Sequence, residues 1–215
     1  MRQTPSLVNY QCLSLSMKIY GDFGSGNCYK LKLICSLLSI PHQWIAVDIL
    51  KGESLTPEFL KMNPNGKIPL LVMDDGECLA ESNAILFYLA RRSYLLPGGD
   101  LDLARVLQWQ FFEQYSLEPY IAVARFIARY LGLPEDRKVE YKSKHAGGYR
   151  ALDVMEQTLQ KNQFLVGKQC TIADISLYAY THVADEGGFD LSRYPAILAW
   201  LKQIQSLDGY IGMED

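Results

Sequence analysis

A short segment between two apolar stretches holds three side chains that could do chemistry. Ser25, Asn27 and Cys28 bring a hydroxyl, an amide and a thiol together within four residues. The apolar run before them, residues 17–20, predicts a short strand, and the periodic apolar residues after them predict a helix. Because a helix N-terminus carries partial positive charge, a donor at this junction could stabilise an anion such as a thiolate.

The cysteines do not indicate disulfides or a metal centre. They are odd in number and widely scattered, with no C-x-x-C pair and no nearby histidine, a pattern typical of a reduced cytoplasmic protein. We therefore predict a cytoplasmic protein without a metal. The five are Cys12, Cys28, Cys35, Cys78 and Cys170.

Composition excludes several other classes of function. Apolar residues make up 49% of the chain, charged residues 21%, and the formal charge is −3. These values give no electrostatic basis for binding nucleic acid or an anionic membrane, and no apolar run is long enough to span a bilayer. Residues 1–16 make a poor signal peptide, so we expect an extension outside the fold, either loosely structured or added by an upstream start.

The order of elements predicts two domains. Residues 17–94 alternate strand and helix patterns in the order βαβαββα, with a helix start at Thr56-Pro57 and a hairpin turn at Asp75-Gly76. Residues 95–102 contain Pro-Gly-Gly and predict a linker, and residues 103–215 have helical patterns throughout. The fold class is thus α/β followed by an all-helical domain, whose first helix is either continuous or broken at Pro119.

Two motifs in the first domain could bind a small peptide-like molecule. A cis bond between Ile68 and Pro69 would leave the Ile68 backbone free to pair with an extended ligand, although spacing alone predicts the commoner trans bond at a strand start. Glu81 and Ser82 precede a helix, where backbone N–H groups could hold a carboxylate and Glu81 an ammonium. The alternative for this pair is simple helix capping.

These motifs together resemble the soluble glutathione S-transferases, and the resemblance covers nearly all of Met17–Asp215. It implies a thioredoxin-like N-terminal domain that binds glutathione as co-substrate, and an all-helical domain with a pocket for a small hydrophobic electrophile. Members of the family are usually homodimers.

The resemblance is to the serine-type theta and delta classes, in a bacterial-style member. It implies that Ser25 activates the glutathione thiol, and Asn27, which departs from the usual proline, could donate a second hydrogen bond. The segment has the spacing of a thioredoxin-type C-x-x-C with serine in the reactive position, so Cys28 is expected inside the helix as a buried residue. Tyr20 is expected on the other face of the sheet.

The thiol activation requires little free energy. A thiol with a pKa of about 8.5 is mostly protonated at neutral pH, and the thiolate is the nucleophile. Lowering that pKa by about two units needs roughly 2.7 kcal/mol of preferential stabilisation. One hydroxyl donor beside a helix N-terminus could supply it.

The resemblance also implies a set of ligand contacts. Ile68 and the cis-proline would pair with the cysteinyl part, and Glu81 and Ser82 would hold the γ-glutamyl end. Ser54 stands where family members often have a histidine, so a lysine would replace it at the glycyl carboxylate. The expected glutathione contacts are Lys51, Lys67, Ile68, Pro69, Glu81 and Ser82, and the expected second-substrate residues are Phe112 and Tyr115, with Arg125 also considered.

Thr171 and Asp174 have the spacing of a helix capping box. We interpret this pair as a folding signal and not as a site. Replacing Asp174 is expected to destabilise the helix without touching the ligand.

Three functions are compatible with these residues. The leading one is a transferase that adds glutathione to apolar electrophiles, with peroxidase activity as an extension. The alternatives are a glutathione-dependent disulfide oxidoreductase and a non-catalytic, transferase-like interaction protein. Retention of Ser25, Ile68, Glu81 and Ser82 together favours an enzyme.

Overall fold

The structure, a computed structural model, describes residues 17–215. The extension expected at residues 1–16 lies outside this range. The first domain contains a four-stranded sheet in the order β2-β1-β3-β4, with β1 parallel to β2 and antiparallel to β3. Its strands are β1 Lys18–Gly21, β2 Gln43–Ala46, β3 Leu70–Val72 and β4 Cys78–Ala80.

Three helices complete the first domain and confirm the expected βαβαββα order. Their bounds are α1 Gly26–Leu37, α2 Pro57–Met62 and α3 Ser82–Ala90, and a short 3-10 turn, Glu53–Leu55, precedes α2. The sequence signals act locally as expected: Thr56 caps α2 by accepting from the Phe59 N–H. This arrangement is the thioredoxin-like fold.

The sheet register brings four chain segments to one edge. Gly21 pairs with Ala46, and Leu70 pairs with both Tyr20 and Ala80. The ends of β1, β2 and β4 and the start of β3 therefore lie side by side. The segments containing Ser25, Lys51, Ile68 and Glu81 follow or precede these ends directly.

The rest of the chain is helical. Its helices are α4 Asp100–Phe112, α5 Glu118–Arg125, α6 Lys138–Leu159, α7 Ile172–Thr181 and α8 Pro195–Gln205. A π-helical turn, Glu113–Leu117, joins α4 to α5, and Pro119 lies in the first turn of α5. Proline has no backbone N–H, and it is tolerated in a first helical turn because N–H groups there have no partner within the helix. The sequence predicted either one continuous helix or two helices broken at Pro119. The chain keeps a helical path here, with a widened turn just before the proline.

Helix α7 is the centre of the second domain, since all ten of its residues are buried. The capping box at its start is confirmed: Thr171 caps the helix, and Asp174 accepts from the Thr171 N–H. Asp174 also accepts from the Leu165 N–H and from Trp200 Nε1, both at 2.9 Å. Burial raises the pKa of the Asp174 carboxyl, and these hydrogen bonds act in the opposite direction.

None of the helices within residues 17–215 has the length and apolar character required to cross a membrane.

Candidate active site

Ser25 is the N-cap of α1. Its backbone is extended, and its Oγ accepts from the Cys28 N–H at 3.4 Å. Capping occupies a lone pair of the hydroxyl and leaves its hydrogen available, because a serine hydroxyl both accepts and donates. The half-buried side chain therefore stands at the positive end of α1 with one donor to offer an anion.

Cys28 is not available for chemistry. Its side chain is completely buried, and burial raises the pKa of its thiol to about 12. It packs against the end of β1, where a Cβ on Gly21 would lie 3.0 Å from its Sγ. Tyr20 lies on the opposite face of the sheet, with its ring 6.2 Å from the Phe59 ring. Both positions agree with the sequence interpretation.

Asn27 follows the cap by two residues, and its side chain has a defined orientation. Its Oδ1 accepts from Lys30 Nζ at 2.8 Å and from Ser82 Oγ at 3.1 Å. Its backbone N–H donates to the Tyr180 hydroxyl at 3.2 Å. Since the oxygen faces Lys30, the amide –NH₂ faces the other way as a free pair of donors.

The start of α3 lies beside Asn27. Glu81 is exposed and has a positive φ of 69°, and its side chain does not cap the helix. The first N–H groups of α3 therefore remain available to a carboxylate. The Ser82 hydroxyl is buried and already bonded to Asn27 and Lys30, so it serves chiefly to join the two helix starts.

The Ile68–Pro69 peptide bond is cis, so the trans bond expected from spacing alone is wrong and the one implied by the family resemblance is found. The strand β3 begins only at Leu70. Within residues 17–215 the Ile68 N–H and C=O make no hydrogen bond, whereas the Lys67 C=O accepts from Asn63 Nδ2 at 2.7 Å. Ile68 thus offers an unpaired backbone donor and acceptor at the sheet edge.

The two lysines considered for the glycyl carboxylate differ in their surroundings. Lys51 forms an exposed ion pair with Asp48 at 2.9 Å. Lys67 is exposed and makes no ion pair with any of the described residues. Ser54, which stands where the family resemblance implies a histidine, is buried in the 3-10 turn.

The structure separates the expected second-substrate residues from Ser25. Phe112 and Tyr115 line a cleft of about 230 Å³ against α6. A larger cleft of about 420 Å³ opens next to Gly24, and its lining includes Phe23, Arg125 and Tyr130. Of the residues considered from the sequence, only Arg125 lines the larger cleft.

Arg125 and Tyr130 hold the loop before Ser25. The buried Arg125 donates from Nη1 to the Gly24 C=O at 2.7 Å and pairs with Glu186 through Nε at 2.7 Å. The Tyr130 hydroxyl donates to Asp22 Oδ1 at 2.8 Å. The second domain therefore sets the path of the loop that presents the capping serine.

Sequence reasoning missed the residues behind the site, chiefly Lys30, Glu113 and Tyr180. Lys30 and Glu113 form an ion pair of 2.9 Å in which both side chains have 0% exposure. A signal existed: Lys30 shares its helix face with Ile34 and Leu37, at positions i, i+4 and i+7, so helical periodicity places it on the buried side. Glu113 and Tyr180 come from distant segments, and no local pattern links them to α1.

Among residues 17–215, no group of three or more His, Cys, Asp or Glu side chains is placed to hold a metal ion. Around α1 and α3 the site offers hydroxyl, amide and backbone donors.

A thioredoxin-like domain joined to an all-helical domain is the architecture that the resemblance to glutathione-dependent transferases implies, and comparison with known proteins identifies the family. Residues 24–92 match the glutathione S-transferase N-terminal domain, and residues 109–208 match the C-terminal domain. The chain therefore belongs to the glutathione S-transferase family and is an enzyme of this type.

Individual relatives agree with this assignment. The crystal structure of a glutathione S-transferase from Pseudomonas fluorescens Pf-5 is 60% identical, with a TM-score of 0.92 over 94% of this chain and 100% of that one. The disulfide-bond oxidoreductase YfcG of Escherichia coli K12 is 30% identical over 84% of this chain and 86% of its own. A glutathione transferase of Phanerochaete chrysosporium in complex with oxidized glutathione is 28% identical, with a TM-score of 0.81 over 90% and 92% of the two chains.

Proposed function

We propose that this enzyme is a serine-type, theta- and delta-like glutathione transferase, in which Ser25 stabilises the thiolate of bound glutathione. The observation that carries the proposal is the position of Ser25: it caps α1 with its hydroxyl hydrogen free, at the sheet edge where the unpaired Ile68 backbone and the start of α3 also lie. A hydrogen bond to the thiolate and the positive end of α1 both favour the ionised thiol.

Glutathione would extend along this edge. Its cysteinyl backbone would pair with the N–H and C=O of Ile68, which holds the sulfur before Ser25. The γ-glutamyl carboxylate would bind the free N–H groups at the start of α3, with its ammonium on Glu81. Lys67 is the better cation for the glycyl carboxylate, because Lys51 is already paired with Asp48.

The second substrate would be a small apolar electrophile in the cleft beside Gly24. The bound thiolate attacks the electrophilic carbon, a carbon–sulfur bond forms, and the leaving group departs with its electron pair, as chloride does from a chloronitrobenzene. Phe23 and Tyr130 supply aromatic surface in this cleft. Phe112 and Tyr115, which line the other cleft, are not assigned to the electrophile.

Reduction of disulfides is a second candidate function, and the relationship to YfcG favours it. Because Cys28 is buried and protonated, the thiolate must come from glutathione itself. Bound thiolate attacks the disulfide and releases one thiolate, forming a mixed disulfide. A second glutathione thiolate attacks the glutathione sulfur of this product, which yields oxidized glutathione and the second released thiol.

A retention measurement and three turnover assays on the purified full chain test these functions. Retention on immobilised glutathione, then turnover of a chloronitrobenzene, a hydroperoxide and a mixed disulfide of glutathione, ranks transferase, peroxidase and reductase activity. We expect retention and the highest rate with the chloronitrobenzene. Dominant turnover of the mixed disulfide would favour the second candidate, and neither retention nor turnover would indicate a non-catalytic interaction protein.

We also propose that the enzyme forms a homodimer through α4. Leu101, Leu107, Phe111 and Tyr115 leave large apolar side chains exposed along α4 and the π-helical turn. Such a stripe is typical of a protein interface. Sedimentation should show a dimer that Phe111→Glu converts to monomer, whereas Lys138→Glu on α6 should leave the mass unchanged. A monomeric wild type would contradict this proposal.

A further inference from the structure

A buried polar network fills the space behind Asn27 and Ser82. Its centre is the Lys30–Glu113 ion pair of 2.9 Å, in which neither side chain is exposed. Lys30 Nζ also donates to Asn27 Oδ1 at 2.8 Å and to Ser82 Oγ at 3.2 Å. One ammonium therefore contacts two residues of the proposed glutathione site.

Glu113 fixes this ammonium from the second domain. Its Oε2 accepts from Asn83 Nδ2 and Gln114 Nε2, both at 2.9 Å, in addition to Lys30. Ser176 on α7 donates to Asn83 Oδ1 at 2.7 Å. The network thus joins α1, α3, the π-helical turn and α7 around a single charge pair.

The network has a consequence for the Asn27 amide. An ammonium only donates, so it requires the oxygen of the amide to face it. The Ser82 hydroxyl donates to the same oxygen. A flipped amide would place –NH₂ against the ammonium and lose the hydrogen bond from Lys30, so the ammonium selects the observed orientation, with –NH₂ directed away from the network.

We propose that Lys30, with its charge balanced by Glu113, is a positioning residue that holds the Asn27 –NH₂ toward the glutathione sulfur. The inference rests on the proposed function, since it assigns the second donor to the thiolate that Ser25 stabilises. A buried ion pair is weak evidence for stability, because desolvation offsets its attraction. Its use here is to prevent the amide from presenting an oxygen to a negatively charged sulfur.

The test measures the pKa of the bound glutathione thiol from thiolate absorbance against pH. Lys30→Met/Glu113→Gln removes the charge pair together, so no buried charge is left alone. We expect the pKa to rise by about 1, as in Asn27→Ala, which corresponds to the loss of one hydrogen bond to the thiolate. The triple variant, Asn27→Ala/Lys30→Met/Glu113→Gln, should have the same bound-thiol pKa as Asn27→Ala alone, because the network acts through the Asn27 amide.

Other ionisable groups near the site are Asp22, Cys28, Glu81, Lys67, Glu118 and Tyr180. Cys28 and Tyr180 remain protonated across the titration, because burial raises the pKa of each. Burial, and then the charge of Glu113, raise the pKa of Glu118. A parallel series of the same variants in a Glu118→Gln background removes the titration of Glu118 from the measurement. The same differences in the pKa of the bound thiol are expected there.

Glu156→Gln is the matched control. Glu156 is also a buried carboxylate, but it accepts from the Ala196 and Ile197 N–H groups at the start of α8. The Glu156→Gln substitution should lower the stability of the protein and leave the pKa of the bound thiol unchanged.

Two results would overturn the inference: a wild-type pKa in the folded Lys30→Met/Glu113→Gln variant, or additive effects in the triple variant. If Lys30→Met/Glu113→Gln does not fold, Asn27→Asp provides the test of the inference, since it keeps an acceptor for Lys30 and Ser82 and replaces –NH₂ by oxygen. It should raise the pKa of the bound thiol above that of Asn27→Ala, and an equal or lower value contradicts the inference. A wild type whose bound thiol titrates like free glutathione would instead overturn the proposed function and the inference together.

Discussion

Ser25 and Cys28 show how three residues of separation change the chemistry of a side chain. Ser25 lies outside the first turn of α1 and keeps a free hydroxyl hydrogen. Cys28 lies inside that turn, where burial raises the pKa of its thiol to about 12. The half-buried Ser25 therefore offers a hydrogen bond to a thiolate that glutathione supplies, while the Cys28 thiol remains protonated.

The first prediction concerns Cys28. Cys28→Ala should retain transferase activity within about twofold and lose about 1–2 kcal/mol of unfolding free energy, because it removes a fully buried side chain. Activity with the chloronitrobenzene and urea unfolding measure the two effects. At pH 8 an alkylating reagent should not modify Cys28 in the folded protein, since about one thiol in 10⁴ is ionised.

Loss of activity in folded Cys28→Ala would show that the thiol takes part in catalysis. The half-exposed Cys78 is the internal control, because the same reagent should reach it without unfolding.

At the scale of single elements, the capping box of α7 gives the second prediction. Asp174→Ala leaves the N–H groups of Leu165 and Thr171 and the Trp200 indole without their buried acceptor. We expect a loss of about 3–5 kcal/mol in unfolding free energy, because each orphaned donor costs about 1–3 kcal/mol. Urea unfolding gives this value, and the KM for glutathione should change little.

Asp174→Asn should be intermediate, since an amide keeps one acceptor oxygen. A variant with full stability and weakened glutathione binding would show that Asp174 belongs to the site and not to the fold.

The elements were predictable because their signals are local. The strand pattern at residues 17–20, the Thr56 cap and the Asp75-Gly76 turn each act over a few neighbours, and each occurs as expected. The Ile68–Pro69 bond was not predictable from spacing, because its isomer depends on the surrounding fold. Only the resemblance to a known family indicated it.

The candidate site was predictable only in part, for a related reason. Ser25, Asn27, Glu81 and Ser82 adjoin recognisable element ends. The partner of Lys30 is 83 positions away in the sequence. The separation of Phe112 from the cleft beside Gly24 likewise depends on how α4, α5 and α6 pack, which helical periodicity does not specify.

At the scale of the whole molecule, the two domains meet around α1 and α7, where His182 gives the third prediction. Its ring stacks on Tyr178 at 4.6 Å and lies 5.0 Å from the Tyr29 ring. Burial lowers the pKa of His182 from 6.5 to about 4. In the unfolded chain the His182 imidazole therefore binds a proton below about pH 6.5, whereas in the folded chain it stays neutral down to about pH 4.

Stability should thus fall with acidification through this window. The expected loss attributable to His182 is about 2 kcal/mol between pH 7 and pH 5. Urea unfolding at both pH values measures it, and His182→Phe should remove most of this difference. His42→Gln, which leaves His182 in place, is the control, and an unchanged pH dependence in His182→Phe would contradict the assignment.

The central claim is that Ser25 stabilises the glutathione thiolate, and the titration of bound glutathione tests it most directly. In the wild type, thiolate absorbance against pH should give a pKa about two units below that of free glutathione. Ser25→Ala should raise the pKa of the bound thiol by at least about 1 while the protein remains folded and still binds glutathione. A bound thiol with the same lowered pKa in wild type and Ser25→Ala would contradict the claim.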